Sequence, residues 1–330
     1  MAAENALDDH RDNLPAAPQT AAAVAVAPLA SVVIPVDGEL ERLAELLQHL
    51  EMQVLPPAKV EVLVVDRSWH GDAALIARSR GARVLHAPGF SPAEADNLGA
   101  RWASAPFVGF LDVHCLPRPD WASHGVRLLT RNPTVAACGA QYMTPPGHSR
   151  LQHALARGVR AHRPATGYLP SAGMFVDRAA FERIGGFPES VAMSIDFCDR
   201  ARVAGYELLN EPMMAVLRTD EPTTLSALLL QEMRLARAVR VFYPGLGLAW
   251  VPLMALLWWP FTVACLATYA WIGNPLLLAL AFAGLVTPPL AIAVRRGFPH
   301  ARSAGDMALM MLVAATYLTG RVLGRFWRKD

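Results

Sequence analysis

The chain has 330 residues, 53% of them hydrophobic, and a formal net charge of +2. That length supports one large domain or two ordinary ones with a sizeable core. The near-neutral balance provides no overall basic field of the kind that gathers nucleic acid, so nucleic acid is set aside as a partner.

The N-terminus places Glu4, Asp8 and Asp9 ahead of an alanine- and proline-rich stretch. A secretory leader needs a basic start and an apolar core before any acid, so residues 1–28 read as a disordered tail. Residues 31–35 form a short β-branched run closed by Pro35, which predicts a buried strand. Leucines at helical spacing predict a helix over 39–50. A second strand, 60–65, ends at Asp66. A helix follows over 72–80, with Gly81 as its stop. The pattern continues with a strand over 83–86, a helix over 92–104 and a strand over 107–111. Strand and helix alternating at this spacing predict a parallel α/β sheet with right-handed crossovers.

In such sheets ligands bind beyond the carboxyl ends of the strands. Three of those ends carry acids: Asp37 and Glu39, Asp66, and Asp112. A lone aspartate after a strand is an ordinary turn residue, but three on one rim point to a site for a cation or a polar ligand. His114, two residues beyond Asp112, adds an imidazole that can either ligate a metal or sit satisfied in its loop. The four cysteines, Cys115, Cys138, Cys198 and Cys265, show no CxxC or disulfide spacing and read as free thiols of a reducing compartment.

Further along, residues 135–142 and 174–176 read as strands. Residues 145–170 read as a loop, 178–184 as a helix stopped by Gly185 and Gly186, and 196–204 as a helix ending at Gly205. Residues 225–243 form a basic amphipathic pattern with Arg234, Arg237 and Arg240. From 246 to 272, and again from 276 to 294, no residue is charged, and the turn at 273–275 separates two runs long enough to cross a bilayer. Arginines flank this hairpin at both ends while its turn has none. The positive-inside rule therefore places residues 1–240 in the cytoplasm. Residues 307–320 form a third, shorter apolar run, giving two or three spans.

With these motifs in view, residues 31–245 resemble inverting glycosyltransferases of the family-2 type. "VVIPVDGE" follows that family's opening strand and Pro-x-x-Asn-Glu, with Gly38 replacing Asn. "VLVVDRSWHGD" matches its second strand ending in Val-Asp. "EADNLGA" keeps Asn97 and Gly99 of Ala-Arg-Asn-x-Gly, with Asp96 replacing Arg. "FLDVHCLPRPDW" corresponds to Leu-Asp-x-Asp, then Pro and Trp. "SAGMFVDRAAFERIGGFPES" matches the strand, helix and Gly-Gly-Phe on the acceptor side.

The resemblance implies a GT-A fold and a nucleotide-diphospho-sugar donor. It implies a donor-nucleotide pocket of Pro35, Val36, Asp37, Glu39, Asp66, Asn97 and Asp112. It also implies a divalent metal, Mn or Mg, at Asp112 and His114. Glu39 can equally complement the dipole of the following helix. At the family's Glu-Asp, which supplies the general base, this chain has Met193-Ser194. Asp196 is then the nearest carboxylate to serve, and it can equally cap its helix. Gln231 and Arg234 match Gln-x-x-Arg-Trp of the polymer-forming members on the acceptor or phosphate side. Leu235 in place of Trp points to transfer of a single sugar. The arginines can also contact phosphate headgroups.

The expected organisation is a tail over 1–28, a GT-A domain over 29–224, a basic membrane-proximal helix over 225–245 and a membrane region over 246–330. The expected activity is single-sugar transfer to a lipid-linked or membrane-proximal acceptor at the cytoplasmic membrane. The alternative is a degenerate, transferase-like membrane scaffold. A dinucleotide-dependent reductase is disfavoured because no GxGxxG follows the first strand.

Overall fold

The computed structural model describes residues 27–55, 59–140, 142–143, 149, 151–152, 168–190, 193–238, 250–295 and 304–326. The expected tail apart from its last two residues, most of the loop at 145–170 and the end of the basic helix with Arg240 lie outside them. The described residues fall into two compact units, divided after Thr219; residues 143, 149, 151 and 152 belong with the second.

In the first unit the strands are β1 (Ala30–Val36), β2 (Val60–Asp66), β3 (Arg83–His86), β4 (Phe107–Phe110), β5 (Cys115–Leu116), β6 (Val135–Gly139), β7 (Phe175–Asp177), β8 (Glu207–Asn210) and β9 (Leu217–Arg218). The helices are α1 (Leu40–Glu51), α2 (Ala73–Ser79), α3 (Pro92–Trp102), α4 (Trp121–Arg131), α5 (Arg178–Ile184) and α6 (Met193–Val203). Seven strands form one sheet in the order β3-β2-β1-β4-β7-β6-β8, with β7 antiparallel to both neighbours. β5 and β9 form a separate antiparallel pair.

Alternation along the strands divides the core between the two faces of the sheet. Val32, Ile34 and Val64 join Leu43, Leu46 and Trp121 on one face. Val33, Leu63, Val65 and Phe110 join Leu98, Phe181 and Phe197 on the other. Two glycines show how closely the layers meet. A Cβ on Gly99 of α3 would lie 2.3 Å from the Val33 side chain, and one on Gly109 of β4 would lie 2.5 Å from the Trp121 ring. The ring of Trp121 meets Phe175 edge-on, 4.9 Å between centroids.

Glu61 ties the start of the sheet together. Its carboxylate accepts from Ser31 Oγ at 2.6 Å and from Ser104 N and Oγ at 2.8 Å, and it pairs with Arg83. Burial pushes its pKa up, but the hydrogen bonds from Ser104, Ser31 and Arg83 outweigh burial and hold it below the ordinary glutamate range. A carboxylate whose folded pKa is depressed stabilises the fold above its unfolded pKa, and the contribution is lost as pH falls through the folded value. Glu61→Gln is expected to cost about 1–3 kcal/mol near neutral pH. Thermal melts of both proteins should converge as the medium is acidified below the glutamate range.

The second unit comprises α7 (Leu225–Ala238), α8 (Trp250–Ile272), α9 (Pro275–Arg295) and α10 (Ala304–Phe326). α8 and α9 form an antiparallel hairpin about Gly273, whose φ is +69°. A Cβ on Gly284 of α9 would meet the Phe261 ring of α8 at 2.7 Å. Leu228, Trp258, Met310, Val313 and Leu318 form this unit's core. By length and composition, the described helix long and apolar enough to cross a bilayer is 304–324, while Leu257–Ile272 and Pro275–Ala291 are apolar but shorter. This differs from the sequence expectation, which makes the hairpin the spanning element and 307–320 the uncertain one.

Further differences arise where the sequence pattern is weak. The strand expected over 135–142 ends at Gly139, and helix α6 begins at Met193 rather than 196. Asp196 therefore lies inside the first turn of α6 and is not its cap. α4, β5, β8 and β9 are additional to the expected elements.

Candidate donor site

Because β1 lies between β2 and β4, the loops that leave their carboxyl ends share one rim. After β1 the chain turns at Gly38, whose φ is +88°. Pro35 and Val36 end the strand itself. Val36 is buried, and its carbonyl accepts from Arg67 N at 2.8 Å. Asp37 N donates to Glu39 Oε2 at 3.2 Å, and Glu39 occupies the cap position ahead of α1.

Asp66 is fully buried. Its Oδ1 accepts from Ser68 N at 3.0 Å and Ser68 Oγ at 2.6 Å, and its Oδ2 accepts from Ala73 N at 3.2 Å. As placed, Asp66 builds the β2–α2 loop and presents no surface of its own to a ligand. Arg67, which the sequence reading passes over, does face the rim. Its Nε donates to Phe90 O at 2.6 Å, and its Nη2 lies 3.8 Å from Asp37 Oδ2. The available signal was a basic residue directly after a strand-end acid.

Beyond β4, Asp112 Oδ1 accepts from His114 N at 2.8 Å, and Asp112 O accepts from Cys115 N. The β5–β9 pair anchors this turn from behind, and His114 O accepts from Thr219 N at 2.9 Å. The His114 imidazole reaches back towards β1, with Nε2 at 4.0 Å from Glu39 Oε1. Asp112, His114 and Glu39 are thus brought to one rim from two neighbouring strands.

Asp96, the residue in place of the family arginine, is buried on α3, and its Oδ1 has no hydrogen-bond partner. Burial holds its pKa well above the ordinary aspartate range; the charge of Asp112 adds to this and that of Arg67 opposes it. On the accessible rim Asp37 lies near Arg67 and Glu39 near His114, with Asp112 in the same turn as His114. Among the described residues, no group of three or more histidine, cysteine or acidic side chains is arranged to hold a metal. Asp112 offers one carboxylate and His114 one imidazole in this turn, a donor pair that suits a softer divalent ion such as Mn²⁺ better than Mg²⁺.

Asn97 works elsewhere. Its Nδ2 donates to Phe187 O at 2.7 Å, and its Oδ1 accepts from Phe187 N at 2.8 Å. The Asn-x-Gly and Gly-Gly-Phe motifs are thus two halves of one clamp. A Cβ on Gly186, at φ +65°, would lie 2.5 Å from Asn97 Oδ1, so glycine is required there on both counts. The clamp seats Phe187 against Phe110, Phe181 and Phe197.

At the position of the expected base, Ser194 is buried, and its Oγ accepts from Ser171 N at 3.2 Å. It also bonds the Tyr168 side chain, whose pKa is raised by burial. Its hydroxyl is built into the structure and has no basic partner among these contacts. Asp196 is half-buried two residues on, in the first turn of α6. Gln231 and Arg234 lie on the exposed side of α7 in the second unit.

Residues 31–184 match the model of the family described as Glycosyl transferase family 2. A glycosyltransferase of Haloferax volcanii, AglE, is 26% identical over 193 residues, which cover 55% of this chain and 64% of that protein. The chain therefore matches just under two thirds of that relative's length. The mannosyltransferase PcManGT of Pyrobaculum calidifontis, solved in complex with GDP-Man and Mn²⁺, superposes with a TM-score of 0.59 and 20% identity. That match covers 100% of this chain and 95% of the other, and it establishes the fold. The rim of strand-end acids, the clamp between its two motifs and these matches agree: residues 31–184 match glycosyl transferase family 2, and the chain has the GT-A fold.

Proposed function

We propose that the first unit transfers a single sugar from a nucleotide-diphospho-sugar to a lipid-linked or membrane-proximal acceptor at the cytoplasmic face of the membrane. The observation that carries this reading is the grouping of Asp112, His114 and Glu39 at the ends of adjacent strands β1 and β4. The solved relative bound to GDP-Man and Mn²⁺ is consistent with a donor of this class and a divalent metal.

Asp112 and His114 would hold the cation, which as a Lewis acid offsets the charge growing on the leaving diphosphate. Arg67, fixed by Phe90 O and Asp37, would add positive charge on the same rim. Asp196 would take the proton from the acceptor hydroxyl as its oxygen bonds the anomeric carbon. The bond from that carbon to the diphosphate breaks with inversion, and the nucleoside diphosphate leaves. Gln231 and Arg234 would serve the acceptor or its phosphate, with the uncharged helices after residue 245 as the anchor.

A second reading, a transferase-like scaffold without turnover, is favoured by Ser194, whose hydroxyl is committed to Ser171 and Tyr168. Incubating the full chain in native membranes with labelled GDP- and UDP-sugars and Mn²⁺ separates the two. Label appearing in the lipid fraction, and absent with Asp112→Asn, is the result expected of a transferase. A chain that leaves every donor intact while the membranes accept sugar from another transferase is a scaffold.

A further inference from the structure

The four helices of the second unit form two aligned pairs. α8 and α9 run antiparallel as a hairpin, and α7 and α10 lie side by side, meeting the hairpin over shorter stretches. At the α7–α10 contact a Cβ on Gly320 would lie 2.7 Å from Glu232 Cβ and 3.1 Å from Leu229 O. The two pairs differ in what they present. Residues 241–294, which include the hairpin, contain no charge, and Leu257, Phe261, Val263 and Phe282 stand exposed along it. α7 turns Ser226, Leu230, Gln231 and Arg234 outward, and α10 exposes Met307, Leu312 and Leu323.

Resting on the membrane anchoring proposed above, we infer that only the α8–α9 hairpin crosses the bilayer, and that α10 lies with α7 in the lipid headgroup layer, returning the C-terminus to the side of α7. Length and composition alone would make α10 a span. Its packing argues otherwise, since two helices aligned lengthwise share one depth. α7, with exposed Gln231 and Arg234, cannot lie in hydrocarbon without burying charge.

The uncharged stretch of α10 between Asp306 and Arg321 is 14 residues. That is roughly 21 Å of helix, against a hydrocarbon core of about 30 Å. The pair as a whole has the character of an interfacial element, exposing charged and polar groups on α7 together with apolar side chains on both helices. Its contacts with α8 include the first half of that helix. Trp258 joins Leu228 and Leu318 in one cluster, and Trp259 Nε1 donates to Thr319 Oγ1 at 3.4 Å. Trp258 is eight residues from the start of α8, roughly 12 Å along its axis. The tail after residue 320 carries Arg321, Arg325, Arg328 and Lys329, and an interfacial α10 leaves these on the cytoplasmic side where the charge bias requires them.

Cysteine accessibility in intact cells tests this on the full chain. The native thiols that could confuse the readout are all buried. Asn274→Cys in the hairpin turn, with Trp271→Cys as a second position, reports the far side, and Asp330→Cys reports the C-terminus. A membrane-impermeant maleimide should label the turn in intact cells and reach Asp330→Cys only after permeabilisation. Labelling of both turn and C-terminus in intact cells would make α10 a third span and overturn the inference while leaving the anchoring intact. A turn that stays unlabelled until permeabilisation would overturn the anchoring and this inference with it.

Discussion

Asp196→Asn is expected to lower kcat for sugar transfer by about 10²–10⁴-fold, the range of a lost general base, while leaving donor affinity unchanged. The physical case is one of elimination within α6. Met193 packs among the partly buried side chains of the core, and Ser194 spends its oxygen on Ser171 N and Tyr168. A serine hydroxyl without a basic neighbour does not deprotonate an alcohol near neutral pH. Asp196 is the first carboxylate after these two, in the opening turn of the same helix. A thermal melt of Asp196→Asn beside the kinetics separates a lost base from a loss of stability. Ser194→Asp provides the converse: the carboxylate stands where the family places its base. If Asp196→Asn turns over within a few-fold of wild type, Asp196 is not the base.

The expected elements that formed did so for reasons visible in single residues. β1 and β2 are β-branched runs with abrupt ends, at Val36 just after Pro35 and at Asp66; β1 is largely buried, and β2 is buried from Leu63 on. α5 ends at Gly185, where φ of +91° demands glycine. α4 is additional to the expected elements, although its buried face, Trp121, Ala122, Gly125 and Leu129, lies at helical spacing. Gly125 is small because the Phe175 ring occupies the space, and that ring belongs to a strand fifty residues away.

The candidate site divides in the same way. Strand-end acids were legible because strand ends are local features. The commitment of Asn97 to Phe187, the burial of Asp66 within its own loop and the orientation of Arg67 depend on contacts between distant segments, which periodicity does not encode. Asp96 was visible as a departure from the family, but its setting against Asp112 and Arg67 was not.

The second large effect concerns the cation. Asp112 and His114 are two residues apart, held in one turn by the Asp112 Oδ1 to His114 N hydrogen bond. In the proposed site the protein supplies two donors, so the rest of the coordination sphere would come from the ligand, and metal and nucleotide should bind together and poorly alone. His114→Ala removes one donor while leaving the main-chain hydrogen bonds from His114 N and to His114 O available. The turn is therefore expected to keep its shape. Each tenfold loss of affinity corresponds to about 1.4 kcal/mol, and removing one of two protein ligands should cost at least that much in the metal-dependent increment.

The most direct measurement is calorimetric titration of GDP and UDP into detergent-purified full chain, with Mn²⁺ and with chelator, for wild type and His114→Ala. The account predicts heat of binding for at least one nucleotide only when Mn²⁺ is present, and loss of that dependence in His114→Ala. Equal binding with Mn²⁺ and with chelator, or none under either condition, would contradict a working metal-and-diphosphate site at Asp112 and His114.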